Sequence, residues 1–184
     1  MAQATRNRAI ARQIGVHAAH GVREGVLLMF WAVGAYLLIS LLSYNPDDPG
    51  WSHTGVAGAT TNLGGVAGAW FADLFFYLFG YLAYLAPLMV AYSGWLIFRS
   101  RDAAQGIDYY TLGLRWGGFL ITLAAGCGLA TLHFTSGALP LNAGGILGDL
   151  VGNGLTGTFS FVGTTLLLLA LFLAGIPLCS GVSW

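Results

Sequence analysis

The sequence contains no lysine, and charged side chains of every kind make up only 8% of its 184 residues. A soluble domain carries about a quarter charged residues, so this composition excludes that class. The absence of lysine excludes a Walker P-loop and any nucleotide-binding lysine within the chain. The two cysteines, Cys127 and Cys179, lie inside apolar runs without metal-ligand spacing, and they read as buried thiols that fill space. No Ser, His and Asp stand in a nucleophile motif, and no His/Cys cluster has zinc spacing. By its own residues the chain is therefore no enzyme, with no catalytic, cofactor-binding or metal site.

Long apolar runs and many glycines are what the sequence has instead. Four runs stand out, at 25–43, 74–98, 116–134 and 161–178. A helix of 19 residues is about 28 Å long, close to the hydrocarbon thickness of a bilayer. None of the four has an ionisable residue near its centre, where Arg or Asp would cost about 3 kcal/mol. The patterning predicts an all-α integral membrane domain of four transmembrane helices over 25–184, preceded by a basic segment over 1–24. That segment reads equally as a short helix on the inner leaflet and as a disordered tail.

Arginine placement gives the orientation. Arg6, Arg8, Arg12 and Arg23 precede the first run, and Arg99, Arg101 and Arg115 lie between the second and third. The loops after the first and third runs have none and hold Asp47, Asp48, Asp73 and Asp149 instead. Positive residues stay inside, so both termini are expected in the cytoplasm.

An internal repeat organises the chain. Asn62-Leu63-Gly64-Gly65-Val66-Ala67-Gly68 returns 80 residues later as Asn142-Ala143-Gly144-Gly145-Ile146-Leu147-Gly148. Each copy follows one apolar run and precedes another, so the fold is expected to be two repeated helical hairpins with Gly-rich extracytoplasmic segments. Asn suits a helix N-cap. Small residues at Gly64, Gly68 and Ala72, and at Gly144, Gly148 and Gly152, would form ridges that let another backbone come close. A helix from Leu63 to Phe98 would be about 54 Å long. The Gly-rich part is therefore expected to be a separate interfacial or re-entrant piece, with Pro87 kinking the second run. In the third run Gly113, Gly117, Ala124 and Gly128 mark a candidate packing face, within the chain or between copies. Ser43-Tyr44-Asn45-Pro46-Asp47-Asp48-Pro49-Gly50-Trp51-Ser52 reads as a rigid outer turn, with Tyr44 and Trp51 at the interface. The second outer loop, from Thr135 to about Ser160, is expected to be flexible because of its glycines.

That outer turn, followed by Asn62-Leu63-Gly64-Gly65 and Gly68-Ala69-Trp70, resembles the N-terminal membrane domain of the FtsK/SpoIIIE family of DNA translocases. The second Gly-Gly-x-x-Gly copy and the closing Gly181-Val182-Ser183-Trp184 resemble that domain's later part. The resemblance implies a bacterial inner-membrane anchor at the division septum that contributes to divisome assembly with other cell-division proteins. It further implies a hexamer, and a following cytoplasmic linker and motor, outside this chain, that use ATP and Mg to move double-stranded DNA in chromosome segregation. The rival reading from the residues is a small transporter or channel, whose flux would depend on Asp73, His133 or Asp149.

Overall fold

The computed structural model describes residues 2–55, 60–99 and 109–181. Among them every regular element is helical and no strand occurs. The elements are α1 (Ala2–Leu42), α2 (Gly65–Phe79), α3 (Leu85–Arg99), α4 (Tyr109–His133), α5 (Gly145–Gly148) and α6 (Gly154–Ser180). A 3₁₀ turn over Gly80–Tyr84 links α2 to α3, and a π-helical turn over Asp149–Asn153 links α5 to α6. Four helical stretches are long and apolar enough to cross a membrane: Gly21–Leu42, Gly65–Phe98, Tyr110–His133 and Gly145–Ser180.

These four stretches make two antiparallel pairs. In the first pair, Gly34 of α1 faces Pro87 and Ala91, and Gly94 of α3 faces Leu27 and Phe30. In the second, Gly118 of α4 faces Leu178 and Cys179, and Gly175 of α6 faces Gly118 and Thr122. Glycine is placed where a Cβ would strike the opposite helix, so the helices approach backbone to backbone. In lipid, such packing drives association because apolar burial supplies no gradient between helices.

The second and fourth stretches are each broken, at equivalent positions. α2 ends at Gly80, 15 residues after it starts, with φ 54° and ψ −138°. In the fourth stretch the break falls at Ser160, with φ 59° and ψ 168°. The two breaks are 80 residues apart, the same offset as the Asn-x-Gly-Gly-x-x-Gly copies. Each hairpin therefore comprises a long helix, a polar turn, a short helix lying against the long helix's end, a break, and a return helix.

Several expectations need correction. The Gly-rich piece does not end before residue 74; α2 runs through Asp73 and Leu74 without interruption. The backbone breaks at Gly80 because Ala143 and Gly144 lie against it, and Tyr81 donates its N–H to the Ala143 carbonyl at 2.9 Å. Pro87 does not kink a helix. It sits in the first turn of α3, where its missing N–H has no intrahelical partner to lose. The segment from 145 to 159 is helical, so the open second loop spans only 134–144. The basic N-terminal residues continue α1 as one unbroken helix, about 61 Å long in all. Among the expected residues, Arg101 and 182–184 lie outside the described ones.

The two hairpins meet through their short helices. Gly145 packs against Leu78 and Phe79, the Cys127 thiol donates to the Phe79 carbonyl at 3.4 Å, and Gly126 faces Leu82. One apolar cluster gathers Leu41, Ala72, Phe76 and Ala83. A second gathers Met89, Phe119, Leu123 and Cys127 where α3 meets α4.

Candidate functional site

The polar chemistry of the described residues is concentrated where α1 ends and α2 begins. Four polar side chains there are almost fully buried: Ser40 (1% exposed), Asp48 (5%), Asn62 (4%) and Asp73 (1%). Asp48 follows the Asn45-Pro46 turn, in which the Asn45 side chain accepts the Asp47 N–H at 3.1 Å. This Asx turn aims Asp48 inward. Its carboxylate accepts the backbone N–H of Thr61 and of Asn62, both at 2.8 Å, and the Thr61 hydroxyl at 3.1 Å. Asp47, its neighbour, stays exposed.

Asp73 projects from α2 into the same loop. It accepts the Ser52 N–H at 2.6 Å, the Ser52 hydroxyl at 3.1 Å and the Tyr44 phenol at 3.4 Å. The His53 Nδ1 lies 3.9 Å away. Gly50 is required at this point, because a Cβ would come within 2.6 Å of the Asp73 carboxyl. Burial, and then the Asp73 charge, push the Tyr44 phenol up to about 12. Trp51 covers the outside of the loop, edge-on to Tyr77 with ring centroids 5.2 Å apart. Pro46 and Pro49 bracket Asp48 within the loop. A hydrogen bond to an ionised group contributes about 1.5–3 kcal/mol. Two carboxylates, each with several donors, therefore tie the two described parts of the first loop to each other and to α2.

The two repeat copies have matching geometry. Asn62 Oδ1 accepts the Gly64 N–H at 2.8 Å, and Asn142 Oδ1 accepts the Gly144 N–H at 3.1 Å. The sequence pattern predicts Asn at each N-cap, but Gly64 and Gly144 occupy those positions. Each Asn closes an Asx turn two residues earlier, because Gly65 and Gly145 then turn through φ 67° and 64° to enter the helix. The Asn62 amide also donates to the Ser40 and Ser43 carbonyls, capping the end of α1. The glycine ridges face the preceding long helix. Gly64 and Gly68 meet Ser40 of α1, whereas Gly144 and Gly148 meet Thr131 and the Cys127 carbonyl of α4.

The third run divides differently from its small-residue pattern. Gly128 packs against Leu168 and Gly152, but Gly113 and Gly117 have open space around them. The close approach to α6 uses Gly118, one residue further on. Ser40, Thr61, Gly118 and Ser160 are not evident from sequence patterning. Only the 80-residue offset from Gly80 marks Ser160, and only the Ser40-x-x-Ser43 pair inside an apolar run marks Ser40.

The three residues expected in a transport path are not brought together. Asp73 is committed to the first loop. His133 bonds Thr165 at 3.0 Å at the end of α4, and Asp149 accepts from Asn153 at 3.0 Å. Among the described residues no group of three His, Cys, Asp or Glu side chains could hold a metal.

These features define a polytopic, all-helical membrane domain built from two repeated hairpins, with the buried carboxylates of its described residues gathered at one end of the first. Residues 19–184 match the family described as the 4TM region of DNA translocase FtsK/SpoIIIE, and the chain belongs to that family. It is similar to "DNA translocase FtsK" of Shewanella oneidensis, with 39% identity over 161 residues, covering 88% of this chain and 18% of the relative. The same named protein of Vibrio vulnificus is 39% identical over 163 residues (89% of this chain, 16% of the relative). That of Pseudomonas syringae pv. tomato is 39% identical over 165 residues (89% and 21%). The chain thus spans about a fifth of the length of these relatives. No solved structure matches it.

Proposed function

We propose that the chain is the membrane anchor and divisome-assembly domain of a septal DNA translocase. On this reading it lies in the bacterial inner membrane with both termini cytoplasmic and the Asp48–Asp73 loop outside. ATP, Mg and double-stranded DNA are handled by a cytoplasmic motor beyond this chain, and a hexameric motor gathers six anchors. The observation that carries the reading is the fixed outer loop. Two buried carboxylates hold Tyr44, Ser52, Thr61 and Asn62 in place, while the membrane-spanning helices present apolar side chains. A surface of fixed shape suits recognition by another cell-division protein. The arginine asymmetry supports the orientation, and the names of the relatives support the motor.

A fluorescent fusion of this chain, expressed in dividing cells, tests the proposal. Enrichment at the septum that depends on the first loop is expected. Uniform membrane fluorescence would overturn the assembly role. Ion or solute flux from liposomes carrying the purified chain would overturn the anchor reading in favour of transport.

A further inference from the structure

An apolar groove of about 260 Å³ runs between α3, α4 and α6, remote from the carboxylate loop. Leu88, Met89, Phe119 and Ile176 form its walls, and Leu88 is exposed to the surroundings. Tyr92 and Ser180 close one end. Arg115 reaches both, donating from Nη1 to the Tyr92 hydroxyl and, at 3.1 Å, to the Ser180 carbonyl at the end of α6. The guanidinium also lies 5.7 Å from the centre of the Tyr92 ring. Among the described residues no carboxylate pairs with Arg115, and its Nη2 and Nε protons have no hydrogen-bond acceptor.

The depth of this mouth is marked independently. Trp95 stacks on Tyr92 at 5.7 Å, Trp116 lies edge-on to Phe119 at 5.7 Å, and both indoles are partly exposed. Tryptophans of this kind sit at the headgroup level of a bilayer. The groove therefore descends from the phosphate layer into hydrocarbon, with a cation at its top that no carboxylate among the described residues pairs.

We propose that this groove is a binding site for one anionic phospholipid, its acyl chain against Leu88, Met89, Phe119 and Ile176 and its phosphate on Arg115. Arginine presents its donors in a planar fork that matches phosphate oxygens. A zwitterionic headgroup would bring its own ammonium or choline cation beside the guanidinium, which favours an anionic lipid.

The test uses the full chain, purified in detergent, stripped of lipid and titrated with phosphatidylglycerol or phosphatidylcholine under native mass spectrometry. One phosphatidylglycerol per chain is expected, bound about tenfold more tightly than phosphatidylcholine, as expected for one charge-assisted contact. Arg115→Gln should abolish that preference and Arg115→Lys should keep most of it. Ile176→Trp, which fills the groove and leaves the cation, should weaken both lipids several-fold. Circular dichroism reports whether each variant keeps its helices. Equal affinity for the two lipids, or a preference unchanged in Arg115→Gln, would overturn the proposal. A dimer that Ile176→Trp disperses would also overturn it, by assigning the groove to a second copy.

Discussion

The two hairpins share a backbone plan and differ in what secures their turns. In the first, 22 residues separate α1 from α2, and the long turn is held by Asp48 and Asp73. In the second, 11 residues separate α4 from α5, and glycine packing holds the turn. The position 80 residues after Asp73 is Asn153, which is exposed and whose side chain is bonded only to Asp149 among the described residues. A duplicated scaffold thus carries one elaborated loop and one minimal loop. The elaboration consists of charged anchors that the second half does not have, which is why the first loop is the candidate for recognition.

The largest expected effect comes from removing the charge that distinguishes the halves. Asp73→Ala leaves the Ser52 N–H and hydroxyl and the Tyr44 phenol without their acceptor, and should cost about 3 kcal/mol. Asn153→Ala, at the equivalent exposed position, should change stability by less than about 0.5 kcal/mol. Thermal unfolding in detergent measures both, and proteolysis between residues 45 and 61 should rise only for Asp73→Ala.

The next test separates a movable neighbour from a fixed one. A Cβ at Gly64 meets the Ser40 hydroxyl most closely and the Gly68 Cα at 2.9 Å, whereas a Cβ at Gly144 meets the Cys127 backbone carbonyl most closely as well as the Thr131 hydroxyl. Overpacking costs about 1–3 kcal/mol. Gly144→Ala should fall at the upper end of that range and Gly64→Ala at the lower. Ser40→Ala should partly rescue Gly64→Ala, and Thr131→Ala should not rescue Gly144→Ala, because the carbonyl remains. Equal rescue in both halves, read from unfolding of the double variants, would break the comparison.

A smaller effect is expected at the two breaks. Ser160 occupies a backbone region nearly reserved for glycine, a strain of about 1–3 kcal/mol. Ser160→Gly should stabilise the chain by about 1 kcal/mol, as a rise in unfolding midpoint. Gly80→Ser should destabilise it, since a Cβ there meets the Ala143 carbonyl and the Gly144 nitrogen.

The smallest test uses pH. The Tyr44 phenol is pushed up to about 12, so the folded protein keeps its proton where the unfolded chain loses it, near 10. The stability this provides is complete below pH 10 and is lost as pH rises towards 12. The loss should be visible as protease sensitivity of the first loop. Tyr44→Phe should remove the dependence, and the second loop should show none.

The architecture was legible because composition and period report the environment directly. Four apolar runs and a repeated Asn-x-Gly-Gly-x-x-Gly are local signals, and a membrane admits few folds. The helix breaks were less legible, because long-range contact sets them. Gly80 breaks α2 where Ala143 presses on it, and nothing within residues 74–98 announces that neighbour. Pro87 misdirects for the same reason, since whether a proline kinks a helix or starts one depends on where the helix begins. The site was half legible. Asp47 and Asp48 are adjacent and look alike, and only the turn geometry buries one and exposes the other. The partners of Asp73 lie 21 and 29 residues away, beyond any spacing rule.

The central claim is that the carboxylate-held first loop, and not its counterpart, serves recruitment. The direct measurement is septal fluorescence of the fused chain as a matched pair, Asp73→Ala against Asn153→Ala, at equal membrane abundance. Loss of septal enrichment for Asp73→Ala, with enrichment kept for Asn153→Ala, is the predicted result. Normal enrichment of Asp73→Ala, with its first loop shown by proteolysis to be released, would contradict the account.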